Sequence, residues 1–279
     1  VTQREMDMAA SIQKVTEKIM LSIGKYVYEQ TGLKSLCMAG GVALNCVGNG
    51  NLLREGPFDN IWVQPSAGDA GAALGAAMAI WHHYLDKPRV ADGKEDKQSG
   101  SYLGPHFDIT EIKKFLHENR YPYREYTEED LCDDVARRLE MGEIIGWFQG
   151  RMEFGPRALG ARSILGDARN PDMQKKMNLM IKYRESFRPF APSILLEYVS
   201  EWFEHDKESP YMLMVAPVKK EKRVPMTDDE MSLFGIDRLS IPRSDVPAIT
   251  HVDYSARIQT VDGKYNKRYY RLIKKFHKN

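Results

Sequence analysis

The chain has 279 residues, 42% hydrophobic and 28% charged, with a formal net charge of +1. That length allows two domains of ordinary size, the composition is that of a globular protein, and the near-neutral charge argues against a broad nucleic-acid footprint. No apolar run approaches the ~20 residues of a membrane span and no basic-then-apolar leader opens the sequence, so a cytoplasmic location with no membrane partner is expected.

Residues 3–31 repeat apolar side chains at Met8, Ile12, Val15, Ile19, Ile23 and Val27, the three-to-four spacing of one buried helix face. Gly32 suits the position past the helix end. Residues 33–39 then form a short apolar run, a buried strand, and Gly40-Gly41 turns the chain into a helix near Val42 or Asn45. A strand, a double glycine and a helix present backbone N–H groups to a phosphate or a nucleoside edge, although many such pairs only make turns. A second strand, residues 60–63, ends in Gln64-Pro-Ser-Ala-Gly-Asp69-Ala-Gly71. There Asp69 reads either as a helix cap or as a metal or nucleotide ligand. The cysteines Cys37, Cys46 and Cys132 lack metal spacing and sit among apolar neighbours, which predicts buried free thiols.

Residues 86–101 are charged and small with no apolar period, the pattern of an exposed linker. The expected division is residues 1–88, a linker at 89–101, and residues 102–279. In the second part, Thr110 caps a short helix to residue 119, Tyr121–Tyr126 reads as an edge strand because Pro122 excludes a central one, and Glu128–Met141 is an amphipathic helix. Residues 144–148 form a buried strand. Pro171 opens a helix through Met180 with Asn170 as its cap. Residues 217–250, with four prolines and many charges, read as a mobile or substrate-facing excursion. A strand follows from residue 250, and a helix covers 267–276.

The strand at 144–148 runs into Gly-Arg151-Met-Glu153-Phe-Gly-Pro-Arg157-Ala-Leu-Gly-Ala-Arg-Ser-Ile-Leu, and then into Lys182-Tyr-Arg-Glu-Ser-Phe-Arg188-Pro-Phe-Ala-Pro. Between Arg151 and Arg188 six Arg and three Lys face only four acids. Guanidinium forks on glycine- and proline-shaped loops suit an oxyanion pocket. The competing reading pairs them at the surface with Glu153, Asp167, Asp172 and Glu185. The apolar neighbours Phe154, Leu159, Ile164 and Phe187 imply half-burial, where unpaired Arg is costly without an anion.

This stretch closely resembles the signature of the O-carbamoyltransferase family that includes the NodU nodulation protein and antibiotic carbamoyltransferases. The resemblance extends over nearly the whole chain. It implies an α/β and α+β protein: the C-terminal half of an actin/Hsp70-like ATPase-type domain in residues 1–88, followed by a YrdC-like α+β domain in residues 102–279. It implies ATP-dependent activation of carbamoyl phosphate to carbamoyl-adenylate, and transfer to a hydroxyl of a small molecule such as a sugar or another natural product. The implied cofactors are ATP and Mg²⁺, with Fe²⁺ or another divalent metal at the transfer site.

By the same resemblance, Arg157, Lys182, Arg188 and Arg257 are the catalytic residues contacting phosphate and carbamoyl groups. Gly40, Gly41 and Asn45 lie beside the adenylate, Arg151 and Glu153 are second-rank cofactor contacts, and Asp69 is the metal ligand. The family's His-x-x-x-His pair does not occur here. The chain also stops before the family's closing Asn-Thr-Ser-Phe-Asn turn, so a piece of a longer protein is expected. A threonylcarbamoyl-type tRNA modifier, a sugar kinase and a non-catalytic nucleotide- or anion-binding module are the alternatives, and a homodimer is left open.

Overall fold

The computed structural model describes residues 2–93 and 95–278, and shows a mixed α/β architecture. Helix α1, Gln3–Thr31, starts at a capping box in which Thr2 and Glu5 satisfy each other, and ends at Gly32 in the left-handed region. The apolar stripe expected to be buried is not. Met8, Ile12, Val15, Ile19 and Ile23 are between 50% and 65% exposed, while Glu17, Met20 and Gly24 are buried. The contact line is chosen by small residues rather than by hydrophobicity. A Cβ on Gly24 would meet Leu52 at 2.7 Å, and one on Gly48 would meet Met20 at 2.5 Å. These two glycines let α1 lie against α2, Cys46–Glu55.

Strands β1, Ser35–Met38, and β2, Asn60–Val63, pair in parallel with Met38 opposite Val63, close to the expected bounds. α3, Ala72–Ala79, runs into a wide π-helical turn at Ile80–Tyr84. Of the three thiols expected to be buried only Cys132 is; Cys37 is exposed and Cys46 half-buried.

Residues 96–101 are a packed strap rather than a solvated linker. Asp96 accepts hydrogen bonds from Trp62 Nε1 at 3.1 Å and from the Tyr211 hydroxyl at 2.5 Å, and Gln98 and Ser101 are buried. The segments on either side share one core, in which Ala43, Val63 and Ala67 pack with Leu159 and residues 211–214. Asn49, fully buried, donates to Ala43 O and to Leu213 O at 2.8 and 3.0 Å, binding the two segments further.

Beyond the strap, α4, Ile109–Glu118, is capped by Asp108 and Glu111 rather than by Thr110. No strand forms over 121–126. α5, Glu128–Glu140, is capped by Thr127. β3, Ile145–Phe148, pairs antiparallel with β4, Arg162–Leu165. The helix expected from Pro171 is short: α6, Met173–Lys176, widens into a π-helical turn at Met177–Ile181. β5, Ser193–Leu195, precedes α7, Val199–Trp202; β6, Met214–Pro217, precedes α8, Asp228–Ser232.

β7, Ser255–Val261, is the centre of a sheet ordered β5–β7–β6, parallel to β5 and antiparallel to β6. α9, Lys267–Lys278, closes over α5 through a buried apolar seam around Cys132, Leu139, Tyr269 and Leu272. A rim pairs Arg268 and Arg271 with Glu128, and Lys275 with Glu129 and Asp133.

The segment 217–250 is stapled rather than free. Arg243, only 3% exposed, donates to the carbonyls of Arg238, Thr250 and His251. Three carbonyls replace the water that a guanidinium loses on burial. Among the described residues no helix is long and apolar enough to cross a membrane.

Candidate functional site

Parallel pairing delivers the loops after β1 and β2 to one end of the strands, where open α/β sheets bind ligands. Gly40, at φ 98°, makes the sharp turn a side chain would resist, and its N–H donates to Ala67 O at 2.9 Å, tying the loops together. They border a cavity of 1190 Å³ lined by Gly40, Gly41 and Asp69, by Trp62 and Trp81, and by the strap. Asn45 is not in its lining. Its side chain caps α2, accepting from Gly48 N at 3.0 Å, and exchanges hydrogen bonds with Gln13 of α1. Its polar atoms are engaged in fold-building. Asp69 is exposed, and among the described residues no three His, Cys, Asp or Glu side chains gather as a metal site. The chain's own donors therefore do not complete the metal centre that the resemblance implies.

A second cavity, of 690 Å³, lies among β3, β4, β7 and the loops after residues 150 and 182. Glu153 builds its rim. Buried at 6% exposure, its Oε1 accepts from the N–H groups of Leu159, Ala161 and Arg162 at 2.6, 2.8 and 3.3 Å. One carboxylate oxygen thus curls the loop that carries Arg157. Glu153 does not line the cavity, so its part is to shape the loop rather than to touch a ligand.

The cavity lining contains Arg157, Arg162, Lys182, Arg184 and Arg257 and no carboxylate. Arg157 Nε and Arg257 Nε are buried without a hydrogen-bond partner. Burial first, and the nearby charge of Arg157 second, hold the Arg257 pKa below the usual guanidinium value. Arg184 is aimed by Asn178, itself fully buried, whose Oδ1 accepts from Arg184 Nε at 2.6 Å. Arg162 donates to the carbonyls of Gln149, Gly150 and Ala161 at 2.9–3.1 Å. Its guanidinium lies 3.5 Å above the Phe148 ring.

Of the nominated cations, Arg157, Lys182 and Arg257 meet in this cavity and two do not. Arg188 pairs with Glu185 at 2.9 Å on the surface, and exposed Arg151 donates to Gly104 O. Arg162 and Arg184 were missed. Both lie in the same Arg-rich stretch, and Arg162 stands opposite Phe148 in the β3–β4 register, a cross-strand relation visible only once the strands are paired. Ser66, in the lining of the first cavity, donates its Oγ–H to Phe154 O at 2.9 Å, tying that cavity's wall to the loop that carries Arg157.

The structure thus gathers five cations and no carboxylate around one cavity and sets a glycine turn on the border of another. Residues 1–78 match the family described as carbamoyltransferase N-terminus, and residues 136–279 match carbamoyltransferase C-terminus. The chain belongs to the carbamoyltransferase family. It is 60% identical over 99% of its length to the uncharacterized protein sll1178 of Synechocystis, covering 45% of that protein. It is 40% identical over 99% of its length to nodulation protein NolNO of Sinorhizobium fredii, covering 38%. It is also 32% identical over 86% of its length to 3'-hydroxymethylcephem-O-carbamoyltransferase of Streptomyces clavuligerus, covering 39%. The chain thus spans less than half the length of each of these relatives.

Proposed function

We propose that the protein containing this chain is an O-carbamoyltransferase that activates carbamoyl phosphate with ATP and transfers the carbamoyl group to a hydroxyl of a small molecule. The observation that carries the reading is the second cavity, with five cations, no carboxylate and two guanidinium Nε atoms without partners. Carbamoyl phosphate and the polyphosphate of ATP repel each other, and fixed cations offset that repulsion and stabilise charge developing as pyrophosphate leaves. Arg157, Arg257 and Arg184 hold phosphate oxygens; Lys182, exposed at the rim, meets the more solvated end. Water first cleaves carbamoyl phosphate to carbamate and inorganic phosphate; a carbamate oxygen then attacks the α-phosphorus of ATP, pyrophosphate leaves, and the product is carbamoyl-adenylate.

The first cavity then receives the adenylate and presents its carbamoyl carbon to the acceptor hydroxyl. In this reading residues 1–88 are the actin-like half and the remainder is the YrdC-like domain, an arrangement supported by the parallel β1–β2 pair with both turns at one end. Asp69 stands in the same cavity as Gly40 and Gly41, one carboxylate where a transition metal needs several donors. A cytoplasmic setting, where ATP is available, belongs to the same reading.

The test incubates the full-length protein with ATP, carbamoyl phosphate and magnesium but no acceptor. Chromatography should find AMP, pyrophosphate and carbamoyl-adenylate, all lost in Arg157→Ala and Lys182→Ala. ATP that stays intact while both ligands bind would replace this reading with a non-catalytic anion-binding module.

A further inference from the structure

Nothing at the guanidinium end of Arg157 fixes its aim: its buried Nε lacks an acceptor, and no carboxylate lines the cavity. The side chain is therefore directed by the backbone beneath it. Glu153 curls that backbone from within. A second set of contacts holds it from outside.

Those contacts converge on Phe154, in the same loop as Arg157. Its carbonyl oxygen accepts from Ser66 Oγ at 2.9 Å and from Ser101 Oγ at 2.7 Å, and its N–H donates to Ser101 O at 2.6 Å. Both serines are 1% exposed. Ser101 reaches the oxygen from a backbone that serine rarely adopts: Ser99, Gly100 and Ser101 stand consecutively in the left-handed region, at φ 51°, 68° and 68°. Such a run persists only where its surroundings impose it, and it concentrates at sites that need a fixed geometry. Gly155 completes the joint. A Cβ there would meet Ser66 Oγ at 3.0 Å and Pro65 O at 3.2 Å, so glycine lets the Arg157 loop close on the loop after β2.

The same serines belong to the wall of the other cavity. Ser66 and Gln98 line it, and Gln98 Nε2 donates to Ser101 Oγ at 3.2 Å.

We propose that Ser66 and Ser101 are positioning residues for Arg157, a clamp through which the wall of the first cavity fixes the anion affinity of the second. Neither serine touches the anion; each acts through the Phe154 carbonyl. The proposal rests on the anion-pocket reading of the second cavity.

Calorimetry with inorganic pyrophosphate on the full chain compares the parent with Ser66→Ala, Ser101→Gly and a matched control, Ser244→Ala. Ser244 is 3% exposed and its hydroxyl is bonded to Thr250 Oγ1 and Val246 N, but it lines neither cavity. Urea unfolding records the stability of each variant. Ser66→Ala and Ser101→Gly should bind pyrophosphate about fivefold more weakly, the scale of one hydrogen bond. Ser244→Ala should stay within about twofold of the parent even where it loses as much stability. If Ser66→Ala fails to fold, Ser101→Gly decides, because glycine suits the left-handed backbone. Affinities within about twofold of the parent in both clamp variants, or a Ser244→Ala loss as large as theirs, overturn the clamp and leave the anion pocket standing. A parent that binds no pyrophosphate overturns the anion pocket and the clamp with it.

Discussion

Arg157 and Arg257 reach one cavity wall with buried Nε atoms that have no acceptor, and the charge of Arg157 lowers the pKa of Arg257 after desolvation has done so. Burial and the charge of Arg157 disfavour the ionised Arg257 guanidinium in the absence of an anion, although Cys46 acts in the other direction. Surface Arg residues in the same stretch behave otherwise: Arg188 has Glu185, and Arg169 has Asp167.

Removing one cation of the pair should therefore leave the free chain as stable as before, or more so, while abolishing anion stabilisation. In a thermal melt, pyrophosphate at about 100 times its Kd should stabilise the parent by about 2.7 kcal/mol, a rise of several degrees for a chain of this size. Arg157→Met should melt at or above the parent without ligand and show no rise with it. A variant that melts well below the parent yet keeps the full rise would make Arg157 a structural residue and remove it from the site.

Glu153 yields the opposite signature. Glu153→Ala leaves three N–H groups without their acceptor, each costing about 1–3 kcal/mol when buried, so urea unfolding should show a loss of roughly 3 kcal/mol. Glu153→Gln retains one carbonyl oxygen and should cost about 1 kcal/mol. Anion affinity should fall in step with the loop's disorder. An alanine variant within about 0.5 kcal/mol of the parent would show that the loop holds its shape without the carboxylate.

How much of this was legible follows from how local each signal is. β1, β2, the Gly40-Gly41 turn, α5 and α9 are written in runs and periods of adjacent residues, and close to those bounds they form. Arg157, Lys182 and Arg257 follow from the family resemblance, and all three line one cavity. What the chain conceals is whatever a distant segment decides. Arg184 rather than Arg188 enters the cavity because buried Asn178 aims it. Asn45 is taken up by Gln13, and the strap is held against the fold because Trp62 and Tyr211 both donate to the Asp96 carboxylate.

The same limit explains α1, where hydrophobic spacing singled out the stripe that in this chain faces solvent. The prediction is a contrast between neighbours. Met20→Ala removes a side chain that is 7% exposed and seated on Gly48, and should cost about 2–4 kcal/mol in urea unfolding. Ile19→Ala, at a position 53% exposed, should stay within about 0.5 kcal/mol. Equal costs at the two positions would mean that α1 packs through its apolar stripe after all.

Two half-buried histidines make the fold sensitive to acid. His251 Nε2 and His205 Nε2 are buried without partners, and desolvation pushes both rings below the ordinary value of 6.5. At His251 the charges of Arg257 and Arg243 act in the same direction and Asp253 acts against it; at His205 the Asp206 charge and a hydrogen bond with the Lys207 backbone oppose the shift, while the charges of Lys207 and Arg54 assist it. A depressed histidine pKa means that the unfolded chain takes up its proton first. Stability from each ring is thus complete above about pH 6.5 and drains away as the pH falls toward the folded-state value, by at most about 1.4 kcal/mol per pH unit for each ring. Urea unfolding between about pH 7.5 and 5 should show this slope. His251→Gln and His205→Gln should each flatten part of it, even where they lower stability at pH 7.5. A slope identical in the parent and both variants would place the acid sensitivity in the carboxylates instead.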